Sequence, residues 1–230
     1  MEGRLFGIGV GPGAPDLLTL RAVFVLSTID VILSPVRSGN ESSKALSIAA
    51  PYIAKDCTYH PLDFPMTKDT SRLHDAWNQA ATQCIAFIES GKKVAFLTLG
   101  DPLTFSTFIY LMRTVKTRAP HIPVTVIPGI TSYHAAAAKL CLPLCEGDEH
   151  LHILSGIAES ETLAAELAHG DTAVILKAYR NIAAIREALH AQGRDHNVWQ
   201  VRYVEQEEEE IRCGVPQDEP PYMTLLISKP

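Results

Sequence analysis

The 230-residue chain lacks any apolar run near the roughly 20 residues needed to cross a bilayer, so a helical membrane span is not expected. Its first residues, Met1-Glu2-Gly3-Arg4, lead straight into a short apolar stretch. A basic segment followed by a signal-type apolar run is missing. The expected compartment is the cytosol, with no membrane partner. Positive charge is also short: 20 Lys and Arg stand against 26 Asp and Glu, for a net charge of −6. A protein held mainly by nucleic acid would show a basic surplus, so nucleic acid is not an expected partner. Cysteine is sparse. Cys57, Cys84, Cys141, Cys145 and Cys213 form an odd, scattered set that makes no disulfide framework. Cys141 and Cys145 are spaced i, i+4 with His150 and His152 close behind, but structural zinc sites favour tighter cysteine pairs. The plainer expectation is no metal site, with Cys141 packed at the end of an apolar helix and one histidine on each side of Leu151 along a strand. Repeats of solenoid period are absent as well.

What is present is an ordinary globular composition, 47% apolar and 20% charged, in a chain long enough for two small domains. Short apolar runs alternate with helical patterns. Strands are expected at Arg4 to Gly9, Asp30 to Leu33, Thr58 to Leu62, Lys93 to Leu99 and Val124 to Ile127. Helices are expected at Pro15 to Leu26, Ser42 to Ile53, Thr70 to Glu89 and Thr104 to Val115. The strands read as continuous apolar runs, which implies a mostly parallel sheet with helices on both faces. After Gly129 the pattern changes. Ser132 to Leu140 reads as a helix. Strands follow at His152 to Leu154, Thr172 to Leu176, Val198 to Val204 and Tyr222 to Ile227, with helices at Glu161 to Ala168 and Ile182 to Ala191. The run Glu205-Gln206-Glu207-Glu208-Glu209-Glu210 reads as a solvated strand edge or loop. The fold class expected is therefore α/β in two domains: residues 1–128 with a parallel sheet and 129–230 with a second, mixed one.

Gly7-Ile8-Gly9-Val10-Gly11-Pro12-Gly13-Ala14 follows the first strand and loosely satisfies a dinucleotide fingerprint. Two facts oppose that reading. Pro12 and Pro15 remove backbone N–H groups that a pyrophosphate cradle needs. The acidic residue that should close the second strand instead opens it, at Asp30. The loop can equally be a tight turn, or a rim that lets a large flat ligand approach the backbone. Four further segments lie at strand ends or, in the last case, within a strand. Leu99-Gly100-Asp101-Pro102 ends the most apolar strand, where parallel sheets bind ligands, and Thr104 and Ser106 follow as candidate caps. Ile127-Pro128-Gly129-Ile130-Thr131-Ser132 repeats the theme. Leu176-Lys177 with Arg180-Asn181, and Tyr222-Met223-Thr224-Leu225, belong to the second half. Each alone is ambiguous; their order and spacing are not.

From Leu5 to Ile227 the chain resembles the tetrapyrrole (corrin and sirohaem) methyltransferases. The carriers are Gly9-Val10-Gly11-Pro12-Gly13-Ala14-Pro15-Asp16-Leu17-Leu18-Thr19-Leu20, Leu99-Gly100-Asp101-Pro102 and Pro128-Gly129-Ile130-Thr131-Ser132. Ser34-Pro35, Phe64-Pro65-Met66-Thr67, Leu176-Lys177 and Tyr222-Met223-Thr224-Leu225 resemble the branch that methylates carbon 20 of precorrin-2 or cobalt-factor II. The resemblance implies a homodimer of two-domain chains with S-adenosylmethionine folded between the domains and leaving as S-adenosylhomocysteine. Carried over by motif, Pro12, Leu99, Gly100, Asp101, Thr104, Thr131, Ser132 and Lys177 hold the cofactor, with Thr224 and Leu225 as weaker candidates. Gly11, Pro12 and Gly13 would face the tetrapyrrole, with Arg37 and Arg180 beside its carboxylates. Relatives acting on uroporphyrinogen carry an aspartate after the second strand. Here Leu33-Ser34-Pro35-Val36-Arg37 has no acid, which argues against that substrate and leaves the proton acceptor unassigned among water, Tyr222 and His134. Two other readings remain: a relative methylating another tetrapyrrole position, rRNA or a protein histidine, and a non-catalytic tetrapyrrole-binding protein.

Overall fold

The computed structural model describes residues 3–36, 43–65, 67, 69–156, 159–168 and 171–230, and Arg37 lies outside the described residues. The chain divides into two compact units, Met1–Thr131 and Ser132–Pro230.

In the first unit, β1 (Arg4–Gly9), β2 (Val31–Val36), β3 (Thr58–Asp63), β4 (Lys93–Thr98) and β5 (Val124–Ile127) form one sheet in the order β3-β2-β4-β1-β5. Every pairing is parallel. The connecting helices are α1 (Leu20–Leu26), α2 (Lys44–Ala49), α3 (Thr70–Glu89) and α4 (Phe108–Arg118). Alternate residues of each strand feed two separate cores. Leu5, Leu33, Val94 and Phe96 pack with Cys84, Ile88, Phe108 and Leu111 of α3 and α4. Ile8, Ile32, Ala95 and Leu97 pack with Ala22, Leu26, Ile48 and Ala49 of α1 and α2. Both faces are apolar because both are covered, which is why these strands read as unbroken apolar runs. Burial pushes the Cys84 thiol up to about 12, so it acts as a small core apolar group.

In the second unit, β6 (Leu151–Ser155) pairs parallel with β7 (Thr172–Leu176), and β8 (Val198–Arg202), β9 (Glu210–Cys213) and β10 (Thr224–Ser228) add antiparallel neighbours. The order is β6-β7-β10-β8-β9. Around this sheet lie α5 (Ser132–Leu140), α6 (Ser160–Leu167) and α7 (Ile182–Ala191). Ala173, Ile175 and Leu226 pack against Leu163, Leu167, Ile185 and Leu189. The fold is thus the expected α/β pair of a parallel sheet and a mixed sheet.

Several elements differ from the sequence pattern for identifiable reasons. The helix expected from Pro15 splits into a single 3-10 turn, Pro15–Leu17, and α1, because the Thr19 hydroxyl accepts from Ala22 N and starts a new helix there. β2 runs on through Ser34 and Pro35. Its pairing with β4 extends only as far as Leu33, so Pro35 lies beyond that ladder, where its missing N–H costs no ladder bond. The helix expected from Thr104 begins only at Phe108. The strand expected from Tyr222 begins at Thr224. The acidic run, expected as a strand edge or loop, ends in β9: Glu210 opens this edge strand, paired with Arg202 and Arg212. Glu205 and Glu209 both hold Lys139 of α5, at 3.3 and 3.4 Å. Cys141 is exposed at φ +50, just past the end of α5, and not packed at an apolar helix end. His150 sits just before β6 and bonds Asp171 at 2.7 Å.

Gly7 faces the Phe108 ring so closely that a Cβ would lie within it. That missing methyl lets α4 seat on β1. Gly7→Ala is expected to lower the unfolding free energy by about 2 kcal/mol, in the range of overpacking costs. Gly193→Ala, where a Cβ meets nothing within 4 Å among the described residues at φ +65, should lose only about 1 kcal/mol through backbone strain. Denaturant titration of the two variants measures the contrast; equal losses would contradict it.

Candidate active site

Three strands of the parallel sheet end in glycine turns on the carboxyl edge. β1 ends at Gly9, β4 leads into Gly100, and β5 leads into Gly129. These turns meet. A Cβ on Gly9 would stand 2.5 Å from the Gly100 carbonyl oxygen and 2.7 Å from Gly129 N, and a Cβ on Gly129 would collide with the same carbonyl. Gly11 and Gly100 exchange backbone hydrogen bonds across the junction: Gly100 N donates to Gly11 O at 2.7 Å and Gly11 N to Gly100 O at 3.4 Å. Gly100 and Gly11 both need left-handed backbone, at φ +69 and +79. Yet a Cβ on Gly100 would meet nothing within 4 Å. The Gly100 face is therefore open backbone, against which a ligand can lie.

Asp101 ties this junction together. Its Oδ1 accepts from Leu103 N at 2.9 Å and from the Thr104 hydroxyl at 3.4 Å, and its Oδ2 accepts from Gly129 N at 3.2 Å. The carboxylate thus joins the loop after β4 to the turn after β5. Further along, the buried Ser106 hydroxyl pairs with Thr98 of β4 at 2.9 Å and accepts from Phe108 N at 3.1 Å. The Ser106 hydroxyl takes the Phe108 N–H that a helix starting at Thr104 would have bonded to the Thr104 carbonyl, so α4 starts late. Phe105, between the two anchors, has φ +51.

In the second unit, β7 runs into Lys177, which adopts φ +59 ahead of the 3-10 turn Ala178–Arg180. Loss of water, then the nearby Arg180 charge, holds the Lys177 ammonium below the ordinary lysine range. Arg180 Nε donates to the Tyr179 hydroxyl at 2.6 Å, and the Tyr179 and Tyr222 rings lie 4.9 Å apart. Continuing the β10–β7 register from Leu226 opposite Ile175 carries Thr224 to the level of Lys177. Thr224 is buried and its hydroxyl has no hydrogen-bond partner among the described residues, while Leu225 is packed within the sheet. So Lys177, Arg180, Tyr222 and Thr224 gather around one corner of this sheet.

The structure therefore brings Gly11, Leu99, Gly100, Asp101 and Thr104 together in the first unit. Gly11 and Pro12 are buried, Gly13 is half-exposed, and Thr131 and Ser132 are half-exposed where the two units join in sequence. His134 is exposed beside the Tyr133 ring. Sequence reasoning missed the roles of Gly9 and Gly129 as points of backbone contact, and that of Gly129 as an Asp101 partner. The available signal was one glycine at or just beyond three strand ends. It also missed the Thr98–Ser106 pair, which only the folded register reveals.

Open glycine backbone at the carboxyl edge of a parallel sheet, pinned by a carboxylate, lies where proteins of the α/β class bind their ligands. The sequence profile of the Tetrapyrrole (Corrin/Porphyrin) Methylases matches residues 4–215, and the chain belongs to that family. It is 35% identical over 193 residues to the cobalt-precorrin-2 C(20)-methyltransferase of Salmonella typhimurium, covering 84% of this chain and 80% of that one. It is 36% identical over 199 residues to the precorrin-2 C(20)-methyltransferase of a Sinorhizobium species, with the same coverage. Its fold matches the uroporphyrin-III C-methyltransferase of Thermus thermophilus, solved with S-adenosylhomocysteine, at a TM-score of 0.69 and 23% identity over 99% of this chain and 97% of that one.

Removing the Asp101 carboxylate leaves two backbone N–H groups and a hydroxyl without their acceptor. Asp101→Ala is expected to lower the unfolding free energy by about 2 kcal/mol, in the range for stranding partly buried donors. It should also weaken S-adenosylhomocysteine binding measured by calorimetry. Unchanged stability together with unchanged affinity would contradict the bridging role.

Proposed function

We propose that this protein is an S-adenosylmethionine-dependent C-methyltransferase that adds a methyl group to carbon 20 of a precorrin-2-type tetrapyrrole in cobalamin synthesis. The structural observation that supports this is the Gly9–Gly100–Gly129 junction. It leaves Gly100 backbone open while Asp101 fixes the loops on either side. The residues fit a cofactor with a flat base, a polyhydroxyl sugar and a zwitterionic tail. Open backbone at Gly100 takes a flat surface, and the apolar Leu99 lies next to it. Thr104, Thr131 and Ser132 are half-exposed, and the buried Thr224 hydroxyl has no hydrogen-bond partner among the described residues. In this reading Pro12, Leu99, Gly100, Asp101, Thr104 and Thr131 hold the cofactor in the first unit, and Ser132, Lys177, Thr224 and Leu225 in the second.

Bound S-adenosylmethionine supplies a methyl group already activated on a sulfonium. What the chain must add is alignment, and holding two reactants in near-attack geometry can contribute roughly 7–11 kcal/mol. A carboxylate at the sulfonium would favour the charged reactant over the neutral product and oppose transfer. The two Asp101 oxygens are spent on Leu103, Thr104 and Gly129, which keeps that charge on the backbone. Arg180 stands at the Lys177 corner as a partner for the substrate's carboxylates, with Arg37 in the same role; Gly11, Pro12 and Gly13 form the substrate rim.

The same reading makes the protein a cytosolic homodimer. α1 presents Leu20 and Phe24, 88% and 72% exposed and one turn apart. A second copy covering that face would remove both from water.

Incubation with methyl-labelled S-adenosylmethionine and either cobalt-factor II or metal-free precorrin-2, followed by mass spectrometry, tests the reading. One labelled methyl group should appear at carbon 20 of one or both rings. Failure to methylate either ring, or transfer to a different carbon, would overturn it. Similar identity to relatives named for cobalt-precorrin-2 and for precorrin-2 leaves a cobalt-bound and a metal-free ring as substrates to be compared.

A further inference from the structure

The second unit holds a cavity of about 530 Å³ that methyl-donor binding does not use, walled by α7, the β8–β9 edge and the residues after β9. Three guanidiniums line it: Arg186 from α7, Arg202 from β8 and Arg212 from β9. Arg186 donates from Nη2 to the backbone carbonyls of Pro216 and Gln217, at 2.9 and 2.6 Å, and no carboxylate pairs with it among the described residues. Arg202 and Arg212 share one carboxylate, Glu210. Its Oε2 accepts from Arg202 Nη1 at 2.9 Å and its Oε1 from Arg212 Nε at 2.6 Å. Of the carboxylates lining the cavity, Asp195 lies 3.1 Å from His190 Nδ1 and Asp218 is exposed. In a chain of net charge −6, three guanidiniums around one shared carboxylate are a local reversal of sign.

Two of these side chains are also short of acceptors. The Nε atoms of Arg186 and Arg202 are buried and have no hydrogen-bond partner among the described residues. A guanidinium withdrawn from water needs counter-charge or acceptors in return. Arg202 is held in place: its Nη2 donates to Oε1 of the buried Gln200 at 3.1 Å, and Gln200 Nε2 donates to Gly214 O at 3.1 Å. Forks fixed in advance on a helix and two strands lose little freedom when an anion arrives, and their planar geometry suits phosphoryl and carboxylate oxygens. The cavity is also of the size that takes a small molecule, about 300–1,000 Å³.

We infer that this cavity binds a small polyanion, a molecule presenting two or more phosphoryl or carboxylate groups to Arg186, Arg202 and Arg212. Glu210 is the internal counter-charge with which it competes. The site goes beyond the methyltransferase reading and does not depend on it.

Calorimetry on the full chain at constant ionic strength, with pyrophosphate in one arm and citrate in the other, tests the site. Saturable binding of one or both is expected, and the tighter of the two identifies phosphoryl or carboxylate groups as the preferred source of the oxygens. Arg212→Gln changes a side chain that is 53% exposed, so it should fold as the parent does. It should weaken binding about tenfold, the scale of one charged hydrogen bond. Glu210→Gln removes the competing carboxylate and should strengthen binding about two- to fivefold. S-adenosylhomocysteine affinity should stay within about twofold in both variants. Absence of saturable binding by either anion, equal binding by the parent and Arg212→Gln, or displacement of the anion by S-adenosylhomocysteine would each overturn the inference. Methyl transfer reads the functional proposal separately. A chain that methylates the ring and binds neither anion loses only this site, and one that binds an anion and methylates nothing keeps it.

Discussion

Everything at the candidate site depends on three strand ends approaching closer than side chains permit. Gly9 and Gly129 have no Cβ, so the turns after β1 and β5 close directly on the Gly100 carbonyl. This is a steric constraint before it is a chemical one. A methyl group at either position would separate the turns and break the Gly100–Gly11 exchange of hydrogen bonds. The Asp101 carboxylate can span from Leu103 to Gly129 only because those turns are in contact. Its oxygens replace a backbone ladder that the strands, having ended, no longer supply.

From that constraint follows a division of labour between chemistry and position. The carboxylate nearest the open backbone accepts from Leu103, Thr104 and Gly129, so it holds the loops in position. The residues that remain open are small, hydroxylic or apolar. Such a set can orient a pre-activated group and a broad ring, and has little to offer as acid or base. The second unit gathers polar groups of its own: the Lys177 ammonium, held below its ordinary range, Arg180 and the Tyr179–Tyr222 pair.

Much of this was legible in the sequence. The apolar runs of β1, β4 and β5 and the amphipathic α3 fixed a two-faced parallel sheet, because buried strands and long helices carry their periodicity locally. The glycine and proline turns marked the strand ends. What stayed hidden was non-local. Whether Gly129 makes a turn or a contact depends on where Gly9 lies, more than 100 residues away in the chain. The late start of α4 depends on the Ser106 hydroxyl outbidding the helix for the Phe108 N–H. The acidic run was read as a strand edge or loop, but the matching of Glu210 by Arg202 and Arg212 is set only once the edge strand β9 pairs. The branch of the family was read from resemblance, and no spacing rule reaches carbon 20 of a ring.

The central claim is that the junction of the three glycine turns is where the methyl donor binds. Hydrogen exchange at backbone amides, compared with and without S-adenosylhomocysteine, tests it directly. The account predicts slower exchange at Gly100, Leu103 and Gly129 when the ligand is present, since these N–H groups belong to the loops it would rest on. Unchanged exchange at all three, with protection appearing elsewhere in the chain, would contradict it.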